Sequence, residues 1–184
     1  MFKNSIKIIK NLGALFMSTC LLSACSSEIS YYKNQPPELN LQRYLQGKIV
    51  GSGIIKDWHG RVTQQFDFSA DASWEKDICT FKEEMKYYNG KIDHRTWIIK
   101  KINDHYYEGS TAELIGIAKI FVEGNAMNWQ YKMDVNVNGS TYRLSFDDWM
   151  YLMKNNTLIN QNKFKKFGIT VGSLVLFMQK SQDN

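Results

Sequence analysis

From Trp129 to Val137, apolar and polar residues alternate without a break: Trp129, Tyr131, Met133, Val135 and Val137 against Asn128, Gln130, Lys132, Asp134 and Asn136. Successive side chains of an extended strand leave on opposite sides, so a period of two predicts a strand with one apolar and one polar face. Val62, Gln64, Phe66 and Phe68 repeat the pattern against Thr63, Gln65, Asp67 and Ser69, and Tyr142, Leu144 and Phe146 continue it. Between the runs fall His59-Gly60, Asn89-Gly90, Gly124-Asn125 and Asn138-Gly139. Asn-Gly supplies the left-handed backbone that tight hairpins demand.

The pattern predicts about ten short strands and no long helix after the N-terminal leader; Leu39, Leu41 and Leu45 predict one or two helical turns offered to a core. A meander of sequentially paired strands leaves two open edges when flat, and closing it removes them. The expected fold is therefore all-β, an antiparallel up-and-down barrel or calyx of lipocalin type. A two-sheet sandwich is the alternative if some connections cross over. The outward face of one run carries Lys82, Glu84 and Lys86, which suits bulk water and argues against a barrel whose outer face meets lipid.

The leader reads differently. Lys3, Lys7 and Lys10 precede an apolar stretch from Leu12 to Leu22, the order of an export signal, and that stretch is too short to span a bilayer. It ends in Leu22, Ser23, Ala24 and Cys25, which looks like a bacterial lipobox, with Cys25 the residue to be acylated. The expected organisation is a lipoprotein signal peptide at 1–24, an acylated cysteine with a flexible tether at 25–38, and a barrel domain at 39–184. Tyr31 and Tyr32 in the tether are read either as headgroup contacts or as partly packed linker residues.

Removing the leader takes away three lysines and no acid, so the formal charge of +5 falls to +2. Without a basic stripe on the folded part, nucleic acid is not expected as a partner. Of the three cysteines, Cys20 leaves with the signal and Cys25 is committed to the anchor, so Cys79 has no partner for a disulfide.

Candidate chemistry is sparse. Asp147 and Asp148 are adjacent on one strand and must point to opposite faces; with Phe146 inward, Asp148 is inward too, where an acid must find a donor or titrate upward. Arg143 shares the parity of Asp147 and is a poor partner for Asp148. His59, His94 and His105 have no short metal spacing, so no metal and no cofactor is expected. No nucleophile elbow is present, and no catalytic residue is assigned. Trp74, Trp97, Trp129 and Trp149, with Met85, Met127, Met133, Met150 and Met153, either line a cavity or fill the core. Gly109, Ala112, Gly116 and Ala118 either mark strand bends or leave room for a neighbour to approach. The candidate ligand-binding residues are Trp129, Tyr131, Asp148, Trp149 and Asn160.

The stretch from Gly51 to Gly60 (GSGIIKDWHG), that from Tyr107 to Ala112 (YEGSTA) with Gly116 and Ala118, and above all that from Leu144 to Leu152 (LSFDDWMYL) carry a family resemblance. Leu158 to Asn160 and Lys166 to Gly168 also fit. Over about Leu39 to Lys180 the chain resembles a proteobacterial family of lipoproteins known as a domain of unknown function. The resemblance implies a lipocalin-like barrel on a lipid anchor, often encoded beside lipid-modifying enzymes such as cyclopropane fatty acid synthases. It implies no catalytic residue. The Gly-X-Trp signature of true lipocalins is absent, since Ser52, Ile54 and Ile55 surround Gly51 and Gly53.

The leading expectation is a non-enzymatic binding protein, tethered to a membrane through its acyl anchor, that holds or carries a fatty acid or other lipid. A structural or interaction lipoprotein with a solid core is the alternative, and a lipid-modifying enzyme the third. Ser26 stands where an aspartate signals inner-membrane retention in enteric bacteria, so the expected place is the outer membrane, facing the periplasm.

Overall fold

The computed structural model describes residues 28–137 and 139–181. The export signal, Cys25 and Asn138 of the last Asn-Gly pair lie outside the described residues. Ten strands follow one another: β1 (Gly47–Asp57), β2 (Val62–Glu75), β3 (Ile78–Tyr87), β4 (Ile92–Lys101), β5 (Tyr106–Ser110), β6 (Ala118–Glu123), β7 (Ala126–Val137), β8 (Ser140–Leu152), β9 (Leu158–Lys166) and β10 (Ile169–Lys180). Each pairs antiparallel with its sequence neighbours, and β1 also pairs with β10, so the meander closes into a barrel rather than splitting into a sandwich. The closing seam runs from Ile49 opposite Lys180 to Asp57 opposite Gly172. Two glycines of β1 let it form: a Cβ on Gly51 would sit 2.1 Å from the Phe177 carbonyl oxygen, and one on Gly53 would sit 2.4 Å from the Phe66 ring.

The inward faces are those the alternation marks. Phe66 and Phe68 of β2, Trp129 and Met133 of β7 and Ala118, Ile120 and Val122 of β6 are all buried. The two ends of the barrel differ. Toward the end that holds the β2–β3, β4–β5, β6–β7 and β8–β9 connections, inward residues such as Ala72, Cys79, Ile99, Val122, Leu152 and Met178 are packed solid. A short helix α1 (Leu41–Tyr44) plugs that floor. The Asn40 side chain caps it by accepting from the Arg43 N–H at 2.9 Å. Leu39, Leu41 and Leu45 are buried as their spacing predicts, and the Trp74 indole N–H donates to the Leu45 carbonyl at 2.6 Å. At the opposite end the inward residues Tyr87, Asp93, Phe146 and Phe164 keep partial exposure, so the lumen opens there.

The segment expected to be a flexible spacer lies against the barrel from its first described residues. A 3₁₀ turn (Ile29–Tyr32) packs on β6 and β7. The Tyr32 ring meets Trp149 and Tyr151 at centroid distances of 5.7 and 5.5 Å, and Leu39 N–H donates to the Gly124 carbonyl at 2.7 Å. The cause is an outward aromatic pair on β8 that would otherwise be left in water. Asn128 sits on the polar side of β7 yet is 3 % exposed, its amide donating to Asp147 and to the Asp148 carbonyl. Tyr31 remains outside at 75 % exposed. Met153, grouped with the core methionines by composition, lies in the β8–β9 turn and is exposed. Among the described residues no helix is long and apolar enough to cross a membrane.

Candidate functional site

Midway up the barrel, the apolar floor gives way to a polar layer. Asp148 on β8 lies opposite Asn162 on β9 and opposite Trp129 on β7, while Glu83 on β3 lies opposite Arg95 on β4. All five have inward parity. With Trp97, Tyr131, Asn160 and the apolar Phe68, Met85, Leu174 and Leu176, they line a cavity of about 70 Å³. That space holds a few waters or a small polar group and falls short of the ~300 Å³ at which whole-ligand pockets begin. Gly109 on β5 sets its wall, because the Trp129 and Trp97 rings lie only 3.4 and 3.5 Å from where its Cβ would be. Those indoles meet edge to face at 4.7 Å, and Tyr131 stacks on Phe146 at 4.8 Å, so the wall is rigid.

Asp148 is 4 % exposed. The Asn160 amide donates to its Oδ1 at 2.9 Å, and Tyr131 and Asn162 also face its carboxyl. Burial outweighs these donors, and the negative charge of Glu83 adds to it, so the Asp148 carboxyl is pushed up to about 7. It therefore exchanges a proton near neutral pH. Glu83 is likewise raised by burial, against the pull of Arg95 and of the Trp97 indole N–H, which donates to it at 3.2 Å. Glu83, Arg95 and Tyr131 keep some solvent contact. That solvent is confined to the lumen, and the surrounding walls deny a charged form most of its hydration. Tyr131 is correspondingly held well above the usual phenol range, by burial first and by Asp148 second.

Three buried polar atoms of this layer have no hydrogen-bond partner among the described residues: Trp129 Nε1, Asn160 Oδ1 and Asn162 Oδ1. Each belongs to a side chain at least nine-tenths buried and lining the cavity. Buried polar atoms are rarely left unsatisfied, so the layer is built to meet something polar. One donor and two acceptors, beside two carboxyls, make the site rich in acceptors.

Of the residues singled out from sequence, Trp129, Tyr131, Asp148 and Asn160 come together here. Trp149 does not. It follows Asp148 by one position, so its ring leaves by the outer face and packs under Tyr32. Asp147 also points outward, accepting from Lys165 at 2.9 Å and from the Asn128 amide at 2.9 Å. Burial works against its ionised form, but these partners prevail and keep its carboxyl below the usual range. Arg143 pairs with Asp134 at 3.0 Å rather than with either aspartate. Glu83, Arg95 and Asn162 were not legible as site residues by type alone; the signal was parity, a charge at the inward position between Phe81 and Met85 and another between Asp93 and Trp97. Cys25 lies outside the described residues.

A larger hollow of about 530 Å³ opens beyond the closed floor, between α1 and the β8–β9 turn, lined by Arg43, Asn155, Asn156 and Gln179 among others. Of these four, all but Gln179 lie on short turns and α1 rather than inside the ring, and although the buried Tyr44 lines the hollow, Asp148, Glu83 and the unpartnered polar atoms do not. The lumen is therefore the candidate site. No curated protein matches the chain. Over residues 19–180 it matches the family described as Protein of unknown function (DUF3833), and it belongs to that family.

Proposed function

We propose that this protein is a lipid-anchored envelope lipoprotein whose barrel binds an amphipathic lipid head-first. The observation that carries the reading is the buried polar layer with its unpartnered Trp129, Asn160 and Asn162 atoms at the base of a lumen open on one side. The cavity takes a head of only a few heavy atoms, so the apolar part of the ligand lies above it, along Phe146, Phe164 and Leu174. Arg95 is already matched by Glu83, and the burial that resists ionising Asp148 resists a further carboxylate beside it. The head that fits is a hydrogen-bond donor, a hydroxyl or an amine, in preference to a free fatty carboxylate. Anchoring through Cys25 in the outer membrane, facing the periplasm, belongs to the same proposal and rests on the lipobox-like Leu22 to Cys25.

Residues 28–184 hold every strand of the closed ring and the core cluster of the described residues. Mass spectrometry of organic extracts of this segment, produced in a bacterial periplasm and compared with an unrelated barrel, tests the ligand reading. A stoichiometric amphiphile, lost in Asp148→Leu, is expected. An empty barrel that also rejects an offered monoacylglycerol, fatty amine and fatty acid leaves the second reading, an interaction lipoprotein with a filled lumen, which the small cavity volume favours. In the full chain, Cys25→Ala is expected to release the protein from membranes on fractionation; continued tight association defeats the anchor.

A further inference from the structure

The hairpin tips at the two ends of the barrel have opposite character. At the open end, four connections carry an exposed apolar residue at or beside the tip, Trp58 after β1, Tyr88 after β3, Val137 before β8 and Phe167 after β9, while the β5–β6 connection turns back lower on the wall, where Gly109 pairs with Ala118. Phe167 is 94 %, Trp58 72 % and Tyr88 65 % exposed, among the most exposed large apolar side chains described. The turns of the closed end are more polar, Lys76-Asp77, Asn103-Asp104 and Asn155-Asn156, with Ile78, Ile102 and Met153 exposed beside them and Tyr31 exposed on the strap. Scattered exposed apolar residues need no cause, but four on one ring of turns form a patterned edge.

Charge at the open end is positive after pairing. Arg61, Lys91 and Arg143 are tied to Asp57, Asp93 and Asp134. Lys56, Lys132 and Lys166 have no acid within 4.0 Å among the described residues, and the acids left to set against them are Asp67, which accepts from the Tyr88 hydroxyl at 3.4 Å, and Glu113. Lys166 lies over the Tyr142 ring at 4.5 Å and the Phe167 ring at 5.7 Å, an ammonium beside aromatic faces. Tryptophan and tyrosine rings with flanking lysines suit the headgroup layer of a bilayer, where the rings enter the interface and the ammonium groups stay among phosphates.

We infer that the open rim docks on an anionic lipid surface, with Trp58 and Phe167 entering the headgroup layer and Lys56 and Lys166 meeting lipid phosphates. The occupant follows from charge and from the aromatic tips together: an acidic protein would match the lysines but not four separate apolar points on a ring of turns. Docked so, the mouth of the lumen faces the bilayer. The N-terminal strap reaches the barrel near Gly124, at the opposite end, so the rim is free to meet a surface other than the one beside residue 28. The inference stands whether or not the lumen holds a ligand.

The test is co-sedimentation of residues 28–184 with vesicles of phosphatidylglycerol and phosphatidylethanolamine, and with vesicles of phosphatidylcholine. Binding to the anionic vesicles is expected, about tenfold or more stronger than to the neutral ones at low salt and weakening as salt is added. The double variant Trp58→Ser, Phe167→Ser and the double variant Lys56→Glu, Lys166→Glu should each lose about tenfold or more in partitioning. Ile102→Ser with Met153→Ser, at the closed end, should change nothing. The tryptophan emission of the bound protein should shift to the blue, and Trp58→Phe should abolish that shift. No binding, equal binding to both vesicle types, or equal loss in the closed-end variant overturns the inference. A concentration-dependent dimer abolished by the rim variants, without vesicle binding, gives the rim to a second copy and overturns it too.

Discussion

Asn160 donates to Asp148 Oδ1 at 2.9 Å although the residue directly opposite Asp148 in the β8–β9 ladder is Asn162. The buried acid thus takes its strongest bond diagonally, two ladder positions further toward the floor, and Asn162 is turned toward the Tyr131 hydroxyl at 3.4 Å. Asn160→Leu removes that bond and is expected to destabilise the barrel by about 1–3 kcal/mol, because a buried carboxyl loses its donor. The loss should be larger at pH 8 than at pH 5, since the missing donor served the ionised form. Urea midpoints at the two pH values check it; an equal loss at both would show that Asp148 does not titrate between them.

Asp148 itself sets a pH dependence. Its folded value, about 7, lies above the ordinary 3.8, so the folded protein holds a proton that the unfolded chain releases between those values. Stability from this group is fully present below about pH 4 and is lost as pH rises through about 7. At about 1.4 kcal/mol for each pH unit of separation, the loss is of order 4 kcal/mol. Asp148→Asn is expected to flatten the profile over that window and to gain on the parent protein at pH 8. Denaturant unfolding across pH 4 to 8 measures both curves, and parallel curves would falsify the assignment.

Gly51→Ala is expected to cost at least about 1–3 kcal/mol, because the new methyl meets the Phe177 carbonyl, a backbone atom that cannot turn aside. Because the clash falls on the β1–β10 seam, the ring itself must open or shear. Amide exchange should accelerate on Val50 and Phe177 more than on the β3–β4 pair.

Tyr32→Ala should cost about 1–2 kcal/mol through its lost contacts with Trp149 and Tyr151. It should also free the strap, so that limited proteolysis cuts between residues 28 and 38 faster than in the parent protein while the ring stays intact.

Cys79 is fully buried, and burial pushes its thiol up to about 11. In residues 28–184 it is the single cysteine. A thiol reagent should label it only through unfolding, slower by on the order of a thousandfold than in denaturant. Rapid labelling of the native protein would mean the floor opens locally.

The ring was legible because its signals are local. Alternation named the inner face of β7, and His59-Gly60 and Asn89-Gly90 placed two hairpins that the fold contains. Parity alone sent Asp148 inward and Asp147 outward. The same rule, applied one residue further, excludes Trp149 from the lumen; its aromatic character had suggested a ligand contact. Glu83 and Arg95 were hidden because β3 and β4 carry charge on both faces, so residue type does not separate lumen from solvent there. The strap was hidden for another reason. Nothing in residues 28–38 reveals that Tyr32 will find Trp149 and Tyr151, since that contact joins segments over a hundred positions apart and exists only once β8 is paired.

The seam between Ile49 and Lys180 imposes an order of events on the chain. Nine strands can pair with a neighbour already made, hairpin by hairpin, as the polypeptide lengthens. β1, however, keeps one flank unsatisfied until the last strand arrives, and β9 waits with it. A chain emerging from its N-terminus therefore carries two adhesive borders for nearly its whole synthesis, and loses both in a single late step. Truncations that remove β10 should yield sticky, self-associating curls instead of smaller barrels, which makes the dozen residues of β10 the latch of the ring.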